Sequence, residues 1–180
     1  MVLYFLINYT LTEQLPSEGA KIQTRVEFTN FQCTSLDKEF TDFEYCQLKA
    51  INRTYKYVST KVLLFKVPIT RVRVNFALYK RLNGYRPFLY NISVDACKFL
   101  KNRKANPITN YFFDFIREIS NMNHTCPFDH DLVVEKLTTE SINHRVTTML
   151  AFPEGDYMVE MHWIAYDITR AVVKLYVSLM

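Results

Sequence analysis

The segment 71–79 alternates between polar and apolar side chains, and this pattern constrains the fold more than any other in the chain. Its apolar positions are Val72, Val74, Phe76 and Leu78, which alternate with Arg71, Arg73, Asn75 and Tyr79. A period of two is typical of a β-strand with one buried face and one face in water. The segment therefore predicts a strand of an antiparallel sheet.

The next residues predict that this strand turns back on itself. Asn83-Gly84 is a strong hairpin signal, because both residues tolerate the positive φ of a type I′ turn. The return strand, 85–97, places its apolar side chains on one face: Phe88, Tyr90, Ile92, Val94 and Ala96. Asn91 lies on the opposite, outward face.

Further strands are predicted on both sides of this hairpin, separated by turn signals. They span residues 21–33, 43–52, 55–67, 132–137, 145–152, 157–166 and 171–179. The apolar spacing changes from even to odd at Thr29-Asn30, which predicts a β-bulge there. Strands at this spacing predict a mainly β chain folded as an antiparallel sandwich.

One α-helix is predicted as an insertion at about 107–121. Asn106 is a suitable N-cap, and Pro107 suits the first helical position. The apolar residues then recur every three or four positions, as Ile108, Tyr111, Phe112, Phe115, Ile119 and Met122. This stripe covers either ordinary core or a lipid-sized gap between two sheets, and the residues alone leave both interpretations open.

The four cysteines predict two disulfides. They form an even set without a CxxC motif, which suits bridges better than zinc. The favoured pairing is Cys33–Cys46 and Cys97–Cys126, since each closes a local loop. Two other connectivities remain open at this point.

The N-terminus and the sequons predict a secreted, extracellular glycoprotein. The apolar run 2–7 and the polar residues that follow it predict a signal peptide over residues 1–19, leaving one domain over 20–180. N-glycosylation is predicted at Asn52, Asn91 and Asn123. A fourth sequon, at Asn8, lies in the predicted leader.

No pattern indicates catalysis, a metal or a cofactor. Asp129-His130-Asp131 has no second matched cluster, so a solvated loop is the better interpretation. The chain has no G-x-S-x-G motif, and its three glycines form no phosphate-binding loop. The net charge of +4 is diffuse and accompanies no nucleic-acid recognition motif. We therefore expect neither an enzyme nor a nucleic-acid-binding protein.

A basic segment precedes the predicted helix. It combines four cations, Lys98, Lys101, Arg103 and Lys104, with the apolar residues Phe99 and Leu100. This combination is typical of a loop that touches a membrane, with cations on headgroups and apolar tips inserted. A solvated turn before the helix is nevertheless the favoured interpretation, and the membrane-touching loop is the alternative.

Six short segments resemble a family of proteins that is expanded in insects. They are Phe28–Cys33, Asn52–Tyr57, Asn83–Tyr90, Val94–Leu100, Ser120–Pro127 and Phe152–Tyr157. The family consists of small secreted proteins of unknown function and includes the chemosensory B-type proteins. It is regarded as a distant relative of the ML (myeloid-differentiation-protein-related lipid-recognition) domains. The resemblance covers about residues 22–178.

The resemblance implies an immunoglobulin-like sandwich whose two sheets part to hold an acyl chain or a sterol. Pro153, Gly155 and Tyr157 match a pattern typical of ML domains before the penultimate strand. One feature departs from that pattern. Many ML domains link an early cysteine to the last strand, but 171–180 contains none, so we expect the sheets to be held differently.

The favoured hypothesis is a secreted, non-enzymatic binding protein for a lipid, a sterol or a pheromone-like molecule, with a role in chemosensation. The predicted pocket is walled by Phe76, Leu78, Phe88, Tyr90, Phe112, Phe115, Met161 and Trp163. A membrane surface or a receptor is a further expected partner. The alternative is a secreted glycoprotein that acts as an interaction module, with a filled core and no ligand pocket.

Overall fold

The structure, a computed structural model, describes residues 25–53, 55–149 and 152–180. The predicted signal peptide over residues 1–19 and the Asn8 sequon lie outside these ranges. Within them the chain forms eight β-strands and three α-helices. No helix in the described ranges is long and apolar enough to cross a membrane.

The order of elements along the chain places all three helices in the second half. The strands are β1 (Val26–Ser35), β2 (Thr41–Ala50), β3 (Lys56–Leu64), β4 (Val72–Leu82), β5 (Gly84–Asp95), β6 (Leu132–Thr138), β7 (Gly155–Ala165) and β8 (Ile168–Leu179). The helices are α1 (Ala96–Lys101), α2 (Pro107–Phe113) and α3 (Thr139–Met149), and a 3₁₀ turn spans Arg103–Ala105. Two helices therefore connect β5 to β6, and the third connects β6 to β7.

The strands form two antiparallel sheets. One sheet has five strands in the order β1-β8-β7-β4-β5, and the other has three in the order β2-β3-β6. Every neighbouring pair is antiparallel. The prediction of a mainly β, immunoglobulin-like antiparallel sandwich is thereby confirmed.

The β4–β5 hairpin lies where the sequence places it, but its turn differs from the expected type. Arg81 pairs with Tyr85, and Leu82 pairs with Gly84. Gly84 has a φ of 89°, whereas Asn83 is not among the residues with positive φ. A type I′ turn needs positive φ at both central residues, so that prediction was wrong. The bulge predicted at Thr29-Asn30 is confirmed, because the β1–β8 register shifts between Phe28 and Asn30.

The helix predicted at 107–121 starts as expected and stops early. Asn106 caps it by accepting a hydrogen bond from the backbone N–H of Thr109 at 3.1 Å. α2 ends at Phe113, and tight turns follow it. Beyond them, Ile119 accepts a hydrogen bond from the backbone N–H of Glu135 in β6 at 2.8 Å. The backbone N–H of Asn121 donates to the carbonyl of Val133 in β6 at 3.3 Å. A helix over 107–121 would use this N–H internally, so pairing with β6 competes with the longer helix.

Two helices occupy positions that the sequence did not predict to be helical. α1 is capped by Asp95, which accepts a hydrogen bond from the backbone N–H of Lys98 at 3.0 Å. α3 covers much of the strand predicted at 145–152, so that prediction was wrong. Thr138 supplies its first turn with a side-chain acceptor for the backbone N–H of Ser141 at 3.1 Å.

Two disulfides are present, in the favoured pairing. Cys33 in β1 and Cys46 in β2 have Cα atoms 6.1 Å apart. This bridge joins an edge strand of one sheet to an edge strand of the other. Cys97 in α1 and Cys126 have Cα atoms 5.4 Å apart, so the second bridge links α1 to the segment before β6. The sheets are therefore tied through β1 and β2, and not through the last strand.

The two long sides of the sandwich differ. At one side β1 and β2 lie next to each other, joined by the Cys33–Cys46 bridge. At the other side, the chain that carries α1 and α2 runs from β5 of the five-stranded sheet to β6 of the three-stranded sheet. α3 packs against β1 and β6. The interior is thus closed by strands and a disulfide on one side and by helices on the other.

Candidate ligand-binding cavities

Two apolar cavities lie inside the sandwich. The helix-side cavity, of about 260 Å³, lies between the five-stranded sheet and the helices; its walls include Phe76, Ile92, Val94, Phe112, Phe115, Ile142 and Val146. The sheet-side cavity, of about 130 Å³, lies between the two sheets; its walls include Phe31, Phe40, Val58, Val62, Val134 and Val173. An apolar cavity of roughly 150 Å³ is enough to hold a benzene-sized molecule.

The two cavities adjoin each other. Among the described residues, seven line both cavities: Ile116, Met122, Phe128, Leu137, Met161, Trp163 and Leu175. Met161 in β7 shows the boundary best. Its neighbour in β4 is Phe76, which lines the helix-side cavity, and its neighbour in β8 is Val173, which lines the sheet-side cavity. Together the two volumes fall in the lower part of the range for small-molecule pockets, about 300–1,000 Å³.

The helix-side wall comes from a face of α2 that differs from the predicted stripe. Thr109, Phe112, Phe113 and, beyond the helix, Ile116 line the cavity. Their three- and four-residue spacing places them on one side of a helix. Ile108, which the predicted stripe included, is instead 46% exposed. The lining face shares Phe112 and Phe115 with the predicted stripe, but it also includes Thr109, a polar residue that an apolar pattern omits.

Phe112 is the centre of an aromatic cluster at this wall. Its ring centroid lies 4.4 Å from that of Phe76, 5.6 Å from that of Tyr90 and 5.3 Å from that of Tyr111. The contacts with Tyr90 and Tyr111 are edge-to-face, a geometry that adds to the stability that area burial alone gives. The cluster therefore attaches α2 to β4 and β5.

The segment before β6 closes both cavities with Met122 and Phe128. Phe128 exchanges two backbone hydrogen bonds with Ile69, at 2.7 and 2.9 Å. The Asn121 side chain accepts from the N–H of Val133 at 2.8 Å and donates to the carbonyl of Asp131 at 2.7 Å. These bonds and the nearby Cys97–Cys126 bridge fix the two apolar side chains in place.

The cavity walls expose almost no polar surface. Among the described residues lining the helix-side cavity, none carries a charge, and the Tyr157 hydroxyl donates to the carbonyl of Pro153. The one charged residue described in the sheet-side lining is Arg170. Its guanidinium pairs with Asp37 and lies 4.1 Å from the ring centroid of Phe40. Such walls fit hydrocarbon and provide little to bind an ionised group.

The structure brings together six of the eight residues predicted to wall a pocket. Phe76, Leu78, Phe112, Phe115, Met161 and Trp163 line the helix-side cavity, and the last two also line the sheet-side cavity. Phe88 and Tyr90 line neither cavity. That these residues bind a ligand stays a prediction.

Phe88 and Tyr90 lie at an irregularity of β5. The register shifts between the pairs Ala77–Asn91 and Tyr79–Pro87, which leaves extra residues on β5. Phe88 packs against the ring of Tyr157, with centroids 5.6 Å apart. Tyr90 contacts Phe112 from outside the cavity lining. A simple alternation along β5 could not predict this displacement.

The basic segment before α2 does not present both of its apolar residues to a membrane. Phe99 is 7% exposed and lines the helix-side cavity, where its ring lies 5.6 Å from that of Phe113. Leu100 is half-buried and lines the same cavity. A membrane contact that inserts Phe99 is therefore not supported by this arrangement.

The three predicted glycosylation sites are exposed. Asn52 accepts a hydrogen bond from the backbone N–H of Tyr55 at 2.7 Å. Asn91 accepts from the side-chain amide of Asn75 at 2.9 Å, and Asn123 accepts from Arg103 at 3.1 Å. Modification at these sites stays a prediction.

The Asp129-His130-Asp131 loop brings two histidines together. The Nε2 atoms of His124 and His130 lie 2.9 Å apart. Asp131 accepts a hydrogen bond from the backbone N–H of Leu64 at 3.1 Å, so this carboxylate supports the end of β3. Within the described ranges, no group of three or more His, Cys, Asp or Glu residues is arranged to hold a metal ion.

An ion pair lies across β7 and β8 on the opposite side from the cavities. Glu160 lies 2.8 Å from the Nζ of Lys174 and 2.7 Å from the Nε2 of His162. Burial acts to raise the pKa of Glu160, but the hydrogen bonds from Lys174 and His162 outweigh it and hold that pKa below its ordinary value. The hydrogen bond to Glu160 raises the pKa of Lys174.

Sequence reasoning missed several lining residues for different reasons. Ile142 and Val146 were assigned to a loop and a strand, although their spacing of four and the nearby Thr138 indicate a helix. Phe40 lies between the strands predicted at 21–33 and 43–52, and no sequence pattern marks it as part of the interior. Thr109 is polar, so the apolar periodicity that predicted the helix does not include it.

The fold and the cavities define a class: an antiparallel β-sandwich with an apolar interior space walled by inserted helices. Residues 74–159 match the family model described as protein of unknown function (DUF1091). This match includes most of β4, all of β5 and β6, and the three helices. No curated protein matches the chain. Among solved structures, a Niemann-Pick type C2 protein from Japanese carpenter ant has 15% sequence identity and a TM-score of 0.35, covering 86% of this chain and 92% of that one.

Proposed function

We propose that this protein is a secreted, non-enzymatic binding protein for a hydrophobic ligand such as a lipid, a sterol or a pheromone-like molecule. The observation that carries the proposal is the pair of adjoining apolar cavities, one of about 260 Å³ and one of about 130 Å³. Binding would transfer hydrocarbon from water into the interior, at about 0.8 kcal/mol per CH₂ group buried. Few polar contacts are needed for such a ligand.

Secretion is supported by the two disulfides, which persist in oxidising compartments. The signal peptide over residues 1–19 and the glycans at Asn52, Asn91 and Asn123 are parts of the same proposal. A role in chemosensation rests on the sequence resemblance alone. A membrane surface or a receptor would be the partner that delivers or collects the ligand.

The alternative, an interaction module with a filled core, is less well supported. It needs side chains that occupy the interior at ordinary packing density, with few voids larger than a water molecule. The cavities favour a binding protein over this alternative.

Protein secreted from insect cells provides the direct test. Native mass spectrometry should detect a co-purifying lipid, and the delipidated protein should take up a fluorescent fatty acid or sterol. Absence of a co-purifying lipid in repeated preparations, together with no uptake of either probe, would contradict the proposal.

Two variants test whether the ligand is taken up in the helix-side cavity. Phe115→Asp places a charge in the wall of the helix-side cavity, and Val159→Phe fills space within it. Both should abolish or strongly reduce uptake. The matched controls are Leu82→Asp, at a side chain that is 67% exposed, and Val172→Phe, on the opposite face of β8. Equal uptake by folded Val159→Phe and Val172→Phe proteins would remove the helix-side cavity from the site.

A further inference from the structure

Two histidine rings meet in the loop that closes both cavities. His124 and His130 lie on the segment 121–131, and their Nε2 atoms are 2.9 Å apart. The ring of His124 also packs on that of Phe128, with centroids 4.9 Å apart. Phe128 is 5% exposed and lines both cavities, whereas His130 is exposed. The histidine pair, hereafter the histidine clasp, therefore lies between solvent and a side chain that closes the cavities.

The neighbouring carbonyl and amide groups determine where the protons of the clasp lie. The Nδ1 atom of His124 is 2.8 Å from the carbonyl oxygen of Thr125, which can only accept, so this nitrogen carries a proton. The Nε2 atom of a neutral His124 is then an acceptor, and His130 donates to it from its own Nε2. The Nδ1 atom of His130 accepts from the side-chain amide of Asn121 at 3.2 Å. Every ring nitrogen thus has a partner when both rings are neutral.

The clasp accommodates one added proton but not two. A first proton can bind to the Nδ1 atom of His130, which then donates to the carbonyl of Asp131 at 2.9 Å. A second proton must bind to the Nε2 atom of His124, where it faces the N–H of His130 across 2.9 Å. Two positively charged rings would then be in contact, and neither of the facing N–H groups would have an acceptor. The doubly charged pair must therefore separate.

The charged groups around the clasp do not offset this repulsion. The Asp131 carboxylate lies beside β3, 3.9 Å from the ammonium of Lys61. Arg103 brings a positive charge to the loop, where it donates to Asn123 at 3.1 Å. Other charged side chains on the loop, on α1 and on the segment 65–71 are exposed, and most of them are cations: Lys66, Arg71, Lys98, Lys101 and Asp129. Such surroundings do not favour a second positive charge on the clasp.

We propose that the histidine clasp is a pH-sensitive gate on the cavities, closed at neutral pH and open in mild acid, where ligand exchange is faster. Histidine changes its charge between about pH 5 and pH 8. The open clasp binds more protons than the closed one, so acid favours the open form. Once the rings separate, Phe128 loses its contact with His124, while the Cys97–Cys126 bridge keeps the loop attached. This inference rests on the proposed function and adds regulation of the same site.

Probe release at two pH values tests the gate. The delipidated, secreted protein is loaded with N-phenylnaphthylamine, a neutral probe, and release is followed by fluorescence at neutral pH and at about pH 5.5. Release from the unmodified protein should be about two- to fivefold faster in acid, as expected for the loss of an exposed contact. His124→Gln and His130→Gln each leave one titrating ring, so their release rates should not depend on pH. His162→Gln, on the side of β7 opposite the cavities, is the matched control and should behave like the unmodified protein.

Hydrogen exchange provides a second measurement that needs no ligand. After correction for the intrinsic effect of pH on exchange, the segment 121–131 of the delipidated protein should lose protection in acid, and His124→Gln should remove this loss. If protection is unchanged, or if all four proteins share one pH dependence of release, the gate is wrong while the binding function stands. If N-phenylnaphthylamine does not bind, the proposed function fails, and hydrogen exchange alone decides whether the clasp opens.

Discussion

Met161 provides the most direct test of whether one ligand occupies both cavities. It lies in β7 between Phe76, which lines the helix-side cavity, and Val173, which lines the sheet-side cavity. Met161→Trp adds bulk at this boundary and should close the passage. Met161→Leu approximately conserves volume and serves as the control, since such changes usually cost less than about 1.5 kcal/mol.

The magnitude follows from the burial of methylene groups. Each additional CH₂ that enters the cavities contributes about 0.8 kcal/mol, which lowers the Kd about fourfold. In the unmodified protein this gain should continue along a series of straight-chain alcohols until both cavities are full, and then stop. In Met161→Trp it should stop at a shorter chain, because only the helix-side cavity of about 260 Å³ remains accessible.

The assay is competition against a fluorescent probe for the whole alcohol series, with circular dichroism to establish that each variant is folded. The diagnostic quantity is the chain length at which the Kd stops improving. If this chain length is identical in folded Met161→Trp and Met161→Leu proteins, a single ligand that extends past Met161 from one cavity into the other is refuted. A Kd independent of chain length would refute hydrocarbon burial as the source of affinity.

Three further predictions concern stability and modification. Replacing Cys33 and Cys46 by alanine should lower the free energy of unfolding by about 3 kcal/mol in urea denaturation; an unchanged value would show that the bridge between the sheets adds nothing. Glu160→Gln should cost about 0.5–1 kcal/mol at neutral pH. Because the folded pKa of Glu160 is lowered, its contribution is present above the unfolded pKa and is lost as the pH falls through the folded pKa. Unfolding curves should therefore converge in acid, and a constant difference would contradict the pairing with Lys174. Asn91→Gln should remove one glycan mass from protein secreted by insect cells, and an unchanged mass would show that Asn91 is not modified.

Local periodicity predicted most of the sheet structure. The alternation at 71–79 corresponds to β4, and the Asn83-Gly84 signal lies at the β4–β5 hairpin. The spacing change at Thr29-Asn30 corresponds to the bulge in β1. These features depend on neighbouring residues and one buried face, which a sequence pattern records directly.

Helix boundaries depended on tertiary contacts and were predicted less well. α2 stops at Phe113 because the following backbone pairs with β6, which lies far along the chain. The strand predicted at 145–152 overlaps the second half of α3, because the short apolar pattern there is compatible with more than one period. The secondary structure of such a short run depends on its tertiary contacts. In the folded protein Ile142 and Val146 both line the helix-side cavity.

The candidate site could be predicted in composition but not in shape. Side chains that line a cavity and side chains that fill a core are both apolar, so Phe76 and Phe112 carry no mark that distinguishes the two cases. Phe88 shows the limit, since its alternation on β5 predicted a wall position and a register shift displaced it. Whether space remains depends on the separation of the sheets, which single-residue patterns do not contain.

The difference in size between the two cavities follows from how the two sides of the sandwich are closed. Sheets packed face to face enclose a core about 10 Å thick, and at the β1–β2 side the Cys33–Cys46 bridge keeps the two edge strands adjacent. An α-helix with its side chains is also about 10–12 Å across. At the β5–β6 side, α1 and α2 therefore prevent the edges from closing on each other. The larger cavity accordingly lies beside the helices, at about 260 Å³, and the smaller one lies between the sheets, at about 130 Å³.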